Sequence, residues 1–318
     1  MSLIPAIIID NLFNRAVQYG MPSREKIIKQ QVGNALQEDI GAGDVTSLGI
    51  VPEDLTGAAE IVAKSDGIIC GLPLCEYAFL KVDPAVEFKA LIEEGKPFSK
   101  GDTVALISGS YRSILIGERT ALNFLMRLSG VATLTNKMVQ AVGDSGAKVL
   151  DTRKTTPGLR YMEKYAVATG GGENHRYGLY DMVLIKDNHI AAVGSVTEAI
   201  RRVREFLASD RFLKIFHVKP DSFDIEVEVE NIDQLKEALD NGVKRILLDN
   251  RSIDHLREMV AFTRQHAAGA DAKLEASGNV TLDTIADIAA TGVDYISVGA
   301  LTHSAPAADF SLKLLDDG

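Results

Sequence analysis

From residue 147 onward the chain alternates short apolar runs with amphipathic helical stretches, and this rhythm constrains the fold more than any other feature. The runs are KVLD ending at Asp151, DMVLIK at Lys186, DIEVEV at Val229, RILLD at Asp249, KLEAS at Ser277 and DYISVG at Gly299. Helical spacing occupies 196–207, 232–241, 253–266 and 282–291 between them. Repeated strand–helix units predict a parallel sheet, because a parallel partner is reached only through a crossover. Six visible strands, with a seventh that has no clear position, favour barrel-like closure over a small open sheet.

The first 125 residues read differently. The stretch 22–37 is an amphipathic helix capped by Ser23, and 73–82 is a second helix. Turn signals at Gly57, Asp66-Gly67, Gly71, Gly95 and Gly101-Asp102 separate apolar runs such as AEIVA and TVALIS. The pattern turns helical over 115–138, with a break expected at Gly130. The division is therefore an N-terminal α/β domain over 1–125 and a barrel domain over 126–305, with the tail 306–318 returning to the first domain.

Charge narrows the function. Lys and Arg total 34 against 44 Asp and Glu, a formal net charge of -10. That sign argues against a nucleic-acid or anionic-membrane binder, so an anionic ligand needs a local basic cluster. Cys70 and Cys75 are too few for a disulfide framework or a structural zinc site and read as packed small hydrophobes. The run Ile7-Ile8-Ile9 lacks a basic lead-in and does not read as a signal peptide. No stretch approaches the roughly 18 apolar residues of a membrane span. A soluble cytoplasmic protein is expected.

The basic cluster lies in 151–190. It holds six Lys or Arg against five acids, a balance of +1, with His175 and His189 in addition. Arg153, Lys154, His175 and Arg176 suit a planar anion, since guanidinium forks grip carboxylates in bidentate fashion and lysine is a point charge for phosphate. The adjacent Gly170-Gly171-Gly172 is expected to let backbone approach a ligand. In 225–230 (IEVEVE), strict alternation places Ile225, Val227 and Val229 on one face and Glu226, Glu228 and Glu230 on the other. In a barrel the apolar face packs on helices, so the glutamates turn inward and need compensation by Lys154, Lys186 or a metal. Asp249 ends the next strand as a second hard oxygen ligand. Glycines after the last two strands, at Gly278 and Gly299, offer backbone N–H groups where barrels often bind phosphate.

The segments EDIGAGDVTS, ERTALNFLMRLSGVATLT, DTRKTTPGLR, GGGENHRYGLYDMVLIKDNH, EVEVE, ILLDN, LEASGN and YISVGALTHS resemble, in order, the motifs of the quinolinate phosphoribosyltransferases. The resemblance runs from about residue 30 to the end. It implies an N-terminal α/β (α+β sandwich-like) domain followed by an incomplete, roughly seven-stranded parallel α/β barrel. It also implies a homodimer with shared active sites, open to higher assembly. The implied reaction joins quinolinate to phosphoribosyl pyrophosphate with Mg²⁺, giving nicotinate mononucleotide, pyrophosphate and CO₂ for NAD biosynthesis.

Carried over residue by residue, the resemblance puts Arg153, His175 and Arg176, beside Thr152, on the quinolinate carboxylates, with Arg119 joining from the neighbouring subunit. Lys154 and Lys186 hold the pyrophosphate and phosphate charges. Glu228, preferred to Glu226, and Asp249 hold the ribose hydroxyls and Mg²⁺. Ser277, Gly278, Asn279, Val298, Gly299 and Ala300 take the 5′-phosphate. The segment 208–224 is longer than the family pattern. Two rival readings are a relative acting on nicotinate and a non-catalytic binder of a phosphorylated metabolite. Four Arg and His contacts exceed what one carboxylate needs, and a mere binder leaves Glu228 and Asp249 unexplained.

Overall fold

A computed structural model describes residues 20, 22–219 and 223–315. The Ile7–Ile9 run, residues 220–222 of the long segment and the last three residues of the tail lie outside them. The N-terminal part carries α1 (Arg24–Ile40), α2 (Val45–Ile50), β1 (Thr56–Ala63), β2 (Gly67–Ile68), α3 (Leu72–Val82), β3 (Glu87–Ala90), β4 (Pro97–Phe98), β5 (Thr103–Ser110) and the long α4 (Tyr111–Val142). The barrel part adds β6 (Lys148–Leu150), α5 (Arg160–Thr169), β7 (Val183–Ile185), α6 (Asp187–Val193), α7 (Val196–Leu207) and α8 (Asp210–Phe216). It continues with β8 (Ile225–Val229), α9 (Ile232–Asp240), β9 (Arg245–Asp249), α10 (Ile253–Gln265), β10 (Lys273–Ser277), α11 (Ile285–Ala289), β11 (Tyr295–Ser297) and α12 (Ala300–His303), and the described residues end with β12 (Phe310–Leu315).

Six parallel strands form the second sheet in the order β6-β11-β10-β9-β8-β7. The missing position belongs to Glu173, whose N–H donates to Val149 O (2.8 Å) and whose carbonyl accepts from Asp151 N–H (3.2 Å) on the free edge of β6. This one-residue bridge is all that stands beyond β6, and at the other edge of the sheet β7 pairs with β8 alone among the described residues. Val227, Val229, Ile246, Leu248, Leu274 and Ile296 are buried, as expected of strands covered by helices. The N-terminal sheet is antiparallel, in the order β12-β1-β5-β3. The last strand among the described residues therefore pairs with the first, from Ala58↔Leu315 to Ala63↔Phe310.

Several local expectations change. Helix α4 runs unbroken through Gly130, because that glycine is a crossing point: a Cβ there would lie 2.1 Å from Pro306 O, where the tail passes over the helix. Helix α11 is shorter than 282–291, since Thr281 N–H bonds to Thr284 Oγ1 (3.0 Å) and the chain turns before it coils. Ser23 sits at the N-cap of α1 without a side-chain bond. Gly170 and Gly172 face α4, where a Cβ would meet Ala132 O at 2.3 Å and Thr135 Cγ2 at 2.8 Å, so they serve helix packing and not a ligand. The segment after α7 contributes α8, and Phe206, Phe212, Phe216 and Phe223 gather there with ring centroids 4.9–6.4 Å apart. Cys70 and Cys75 are buried and unbridged. No helix among the described residues is long and apolar enough to cross a membrane.

Candidate active site

A cavity of about 620 Å³ opens at the C-terminal ends of the barrel strands. The chain after β6 brings Thr152, Arg153 and Lys154 to it, and the chain after the Glu173 bridge brings His175 and Arg176. Lys186 follows β7, while Glu228 and Asp249 stand at the ends of β8 and β9. Ser277, Gly278 and Asn279 close one wall from β10, and Gly299 and Ala300 follow β11. Two residues of the sequence reading are not among the lining. Arg119 is exposed on α4. Val298 is buried, and its N–H is spent on Leu150 O (2.9 Å), so it has no donor left for a phosphate. Glu275, Ser297, Thr281 and His303 line the cavity unanticipated. Glu275 was open to the same alternation argument as Glu226, since it stands two residues before Ser277 on the same strand face.

Local bonding holds these groups in place. Buried Glu163 accepts from Thr156 N (2.9 Å) and Thr156 Oγ1 (2.7 Å) and from Arg127 Nε (3.1 Å), tying the loop after β6 to α4. Thr302 Oγ1 donates to Lys154 O (2.8 Å) from the other side. Helix α6 starts directly behind Lys186, whose N–H donates to His189 Nδ1 (2.9 Å). Lys186 Nζ is 2.9 Å from Glu228 Oε2, so this lysine does compensate an inward glutamate. Gly278 has a φ of 104°, and a Cβ there would sit 2.9 Å from Asn250 Cα, which only glycine tolerates. Gly299 approaches Lys154 Cδ and His303 Nε2 at 3.1 and 3.2 Å from its notional Cβ.

Arg153 and Arg176 carry the clearest electrostatic signature of an anion site. The Arg153 Nε is buried and has no hydrogen-bond partner among the described residues. Burial and the neighbouring Arg153 charge both lower the Arg176 pKa, a repulsion that a bound anion relieves.

A buried layer of charge lies beneath the cavity. Glu226 and Glu275 are fully buried, and Arg245 joins them through Nε to Glu226 Oε1 (3.1 Å) and Nη2 to Glu275 Oε2 (2.6 Å). His175 Nε2 faces their other oxygens at 3.0 and 3.3 Å, and Ser297 Oγ also donates to Glu275. The cations that compensate Glu226 are thus Arg245 and His175, and not Lys154 or Lys186. Glu230 lies beyond β8 and is exposed. Burial disfavours a charged His175, but the carboxylates of Glu226 and Glu275 close beside Nε2 outweigh it and raise its pKa to about 9; Glu226 Oε2 itself receives no well-directed hydrogen bond among the described residues. Burial, together with the charge of Glu275, raises Glu226. Burial also works against Glu275, yet His175, Arg245 and Ser297 hold it down to about 2. His175 Nδ1 accepts the Arg176 N–H (2.7 Å), a bond that only an unprotonated Nδ1 can make. The proton taken up at neutral pH therefore belongs to the cluster as a whole, and a fully charged ring must shift off that donor. His175, Glu226 and Glu275 bring ligand atoms within 4.8 Å of one another, but Arg245 already supplies the cation there. Carboxylates suited to a hard divalent cation in the cavity itself are Glu228 and Asp249, on adjacent strands.

The His175 backbone is fixed as well. Its N–H donates to Asp151 Oδ1 (3.0 Å), and its carbonyl accepts from Lys164 Nζ (3.0 Å). Asp151 and Lys164 are themselves a fully buried ion pair.

Both halves match known family profiles: residues 44–129 match "Quinolinate phosphoribosyl transferase, N-terminal domain" and 131–313 match the C-terminal domain of the same family. The probable carboxylating nicotinate-nucleotide pyrophosphorylase of Synechocystis is 43% identical over 280 residues, covering 88% of this chain and 90% of its own. That of Bacillus subtilis is 42% identical over 287 residues, covering 90% and 93%. The crystal structure of NadC from Streptococcus pyogenes superposes with a TM-score of 0.83 at 38% identity, covering 93% of this chain and all of its own. Human nicotinic acid phosphoribosyltransferase, at 13% identity and a TM-score of 0.58, shares the fold alone. With both domains matched, and identity above 40% across nine-tenths of its length, the chain belongs to the quinolinate phosphoribosyltransferase family.

Proposed function

We propose that the cavity transfers the phosphoribosyl group from phosphoribosyl pyrophosphate to quinolinate with loss of CO₂, giving nicotinate mononucleotide for NAD biosynthesis. The observation that carries the assignment of the site is its dual character. One cavity holds Arg153, with its unpartnered buried Nε, beside His175 and Arg176, and also Lys154, Lys186, Glu228 and Asp249. A dicarboxylate and a polyphosphate sugar need those two groups together.

In this reading Arg153, His175 and Arg176 grip the quinolinate carboxylates, and Arg119 of a second copy completes the grip in a homodimer. The ring nitrogen attacks C1 of the ribose, and pyrophosphate leaves with the electrons of the C1–O bond. Positive charge builds at C1 and negative charge on the leaving group, so the chain's work is positioning and field. Lys154 and Lys186 stabilise the departing pyrophosphate, while Glu228 and Asp249 hold the ribose hydroxyls beside the developing cation. Gly278-Asn279 and Gly299-Ala300 seat the 5′-phosphate. Glu228 and Asp249 also fit Mg²⁺, which when bound supplies further positive charge to the pyrophosphate. The quaternised ring then accepts the electrons left by CO₂, and the resulting carbanion takes up a proton. No step requires a nucleophilic side chain.

The test is incubation of the protein with carboxyl-labelled quinolinate, phosphoribosyl pyrophosphate and Mg²⁺, following CO₂ release. Stoichiometric CO₂ and nicotinate mononucleotide are expected. Product formation from nicotinate alone, with no CO₂ from quinolinate, refutes the proposal.

A further inference from the structure

Arg245 opens β9 at the end opposite the cavity, with Asp249 at the cavity end of the same strand. Four residues of strand separate them by roughly 13 Å. Arg245 nonetheless controls what the cavity floor presents. Glu226 and Glu275 are two like charges fully buried side by side, and they stay together only while a cation bridges them. The guanidinium does so with two different nitrogens, one to each carboxylate, and its Cζ sits 4.8 Å from the centroid of the Tyr295 ring. Each carboxylate thereby turns its remaining oxygen to the same atom, His175 Nε2. The Asp151–Lys164 pair pins the backbone of His175, so the ring orientation is what this second device sets.

We infer that Arg245 is a positioning residue for quinolinate recognition: by clamping Glu226 and Glu275 from the far end of the barrel, it holds the His175 ring with Nε2 on the cavity floor and Nδ1 on the Arg176 N–H, and so keeps Arg176 in place at the cavity. The inference rests on the proposed role of Arg176 toward quinolinate. A purely structural Arg245, present only to neutralise two buried acids, would affect both substrates alike. The clamp acts on one.

Arg245 also borders a second cavity, of about 460 Å³, at the bottom of the barrel. A shorter or uncharged side chain there is open to water, which helps the altered protein fold. Arg245→Met removes the clamp, and Arg245→Lys keeps the charge but bridges only one carboxylate. Glu275→Gln carries the test if Arg245→Met does not fold: its amide satisfies Arg245 through oxygen and turns an N–H₂ group toward His175 Nε2 and Ser297 Oγ.

In steady-state assays of folded protein, Arg245→Met should raise the KM for quinolinate roughly tenfold to a hundredfold, with the KM for phosphoribosyl pyrophosphate within about twofold and kcat within about threefold of wild type. Arg245→Lys should fall between the two, and Glu275→Gln should also raise the quinolinate KM selectively. Calorimetric titration of quinolinate into the free proteins should show the same order. Equal losses for both substrates, or an unchanged quinolinate KM in whichever of Arg245→Met and Glu275→Gln folds, overturns the clamp while leaving the function intact. A wild-type protein that releases no CO₂ from quinolinate overturns the functional reading itself, and the clamp with it.

Discussion

Replacing Arg153 by lysine separates recognition from stability in a single substitution. The wild-type side chain lines the cavity with a buried Nε that lacks a partner, while Arg160 Nη2 donates to its backbone carbonyl (3.4 Å) and steadies the loop. An unsatisfied buried donor costs about 1–3 kcal/mol in the free protein. Arg153→Lys deletes it, so the thermal midpoint should stay level or rise. The same change removes the planar fork while keeping the charge, so one charge-assisted hydrogen bond to a quinolinate carboxylate is lost. At about 1.5–3 kcal/mol for such a bond, the quinolinate KM should rise roughly ten- to 150-fold. The KM for phosphoribosyl pyrophosphate should change little, because lysine supplies the same point charge at a distance. The assay is initial velocity with each substrate varied at saturating concentration of the other, beside a thermal scan of the free protein. A lower midpoint with equal losses for both substrates would show that Arg153 is a structural cation, and the carboxylate assignment would fall with it.

Glu228→Gln and Asp249→Asn should lower kcat while calorimetric quinolinate binding remains close to wild type, and unchanged turnover in both would remove them from the site. Glu228→Gln also dissolves the 2.9 Å ion pair with Lys186, so it should be the more damaging of the two. For the proposed shared site, Arg119→Ala and Lys154→Ala should each be inactive, yet recover roughly a quarter of wild-type activity after co-refolding, since random pairing into the proposed dimer would make half the dimers mixed, each with one intact site. An inactive, verified mixed dimer refutes that arrangement. Two glycine substitutions test the packing of α4 against that of α1. Gly33 has open space where a Cβ would go, so Gly33→Ala should stabilise by up to about 1 kcal/mol. Gly130→Ala meets Pro306 O at 2.1 Å and should destabilise by about 1–3 kcal/mol despite the better helix propensity. A Gly130→Ala midpoint that rises would show that the tail does not cross α4 tightly, and a Gly33→Ala midpoint that falls would show that α1 is packed at that face.

Those two glycines also mark where sequence reading succeeds and where it stops. Strand rhythm survives in the sequence because buried parallel strands must be apolar on the face that meets the helices, and the same alternation assigns Glu226 and Glu228 to the interior. A glycine inside a helical pattern is ambiguous, since a break and a close approach both favour it, and only the passage of 305–308 over α4 decides for Gly130. The seventh barrel position is harder still: GGGEN has no side-chain periodicity, and Glu173 joins β6 through backbone groups alone.

The same limit explains what was legible in the site. Strand ends can be found one at a time, so most residues that line the cavity can be named without knowing the fold. Which acid pairs with which base is a matter of register between strands. Glu226 stands opposite Arg245, and Leu247, two residues on, is the in-register neighbour of both Glu228 and Glu275. A one-residue slip in β9 would reverse its faces and turn Arg245 outward, leaving two buried carboxylates without their bridge. The clamp beneath His175 is therefore a property of strand pairing, and the arrangement of the cavity floor depends on a register set at the far end of the barrel.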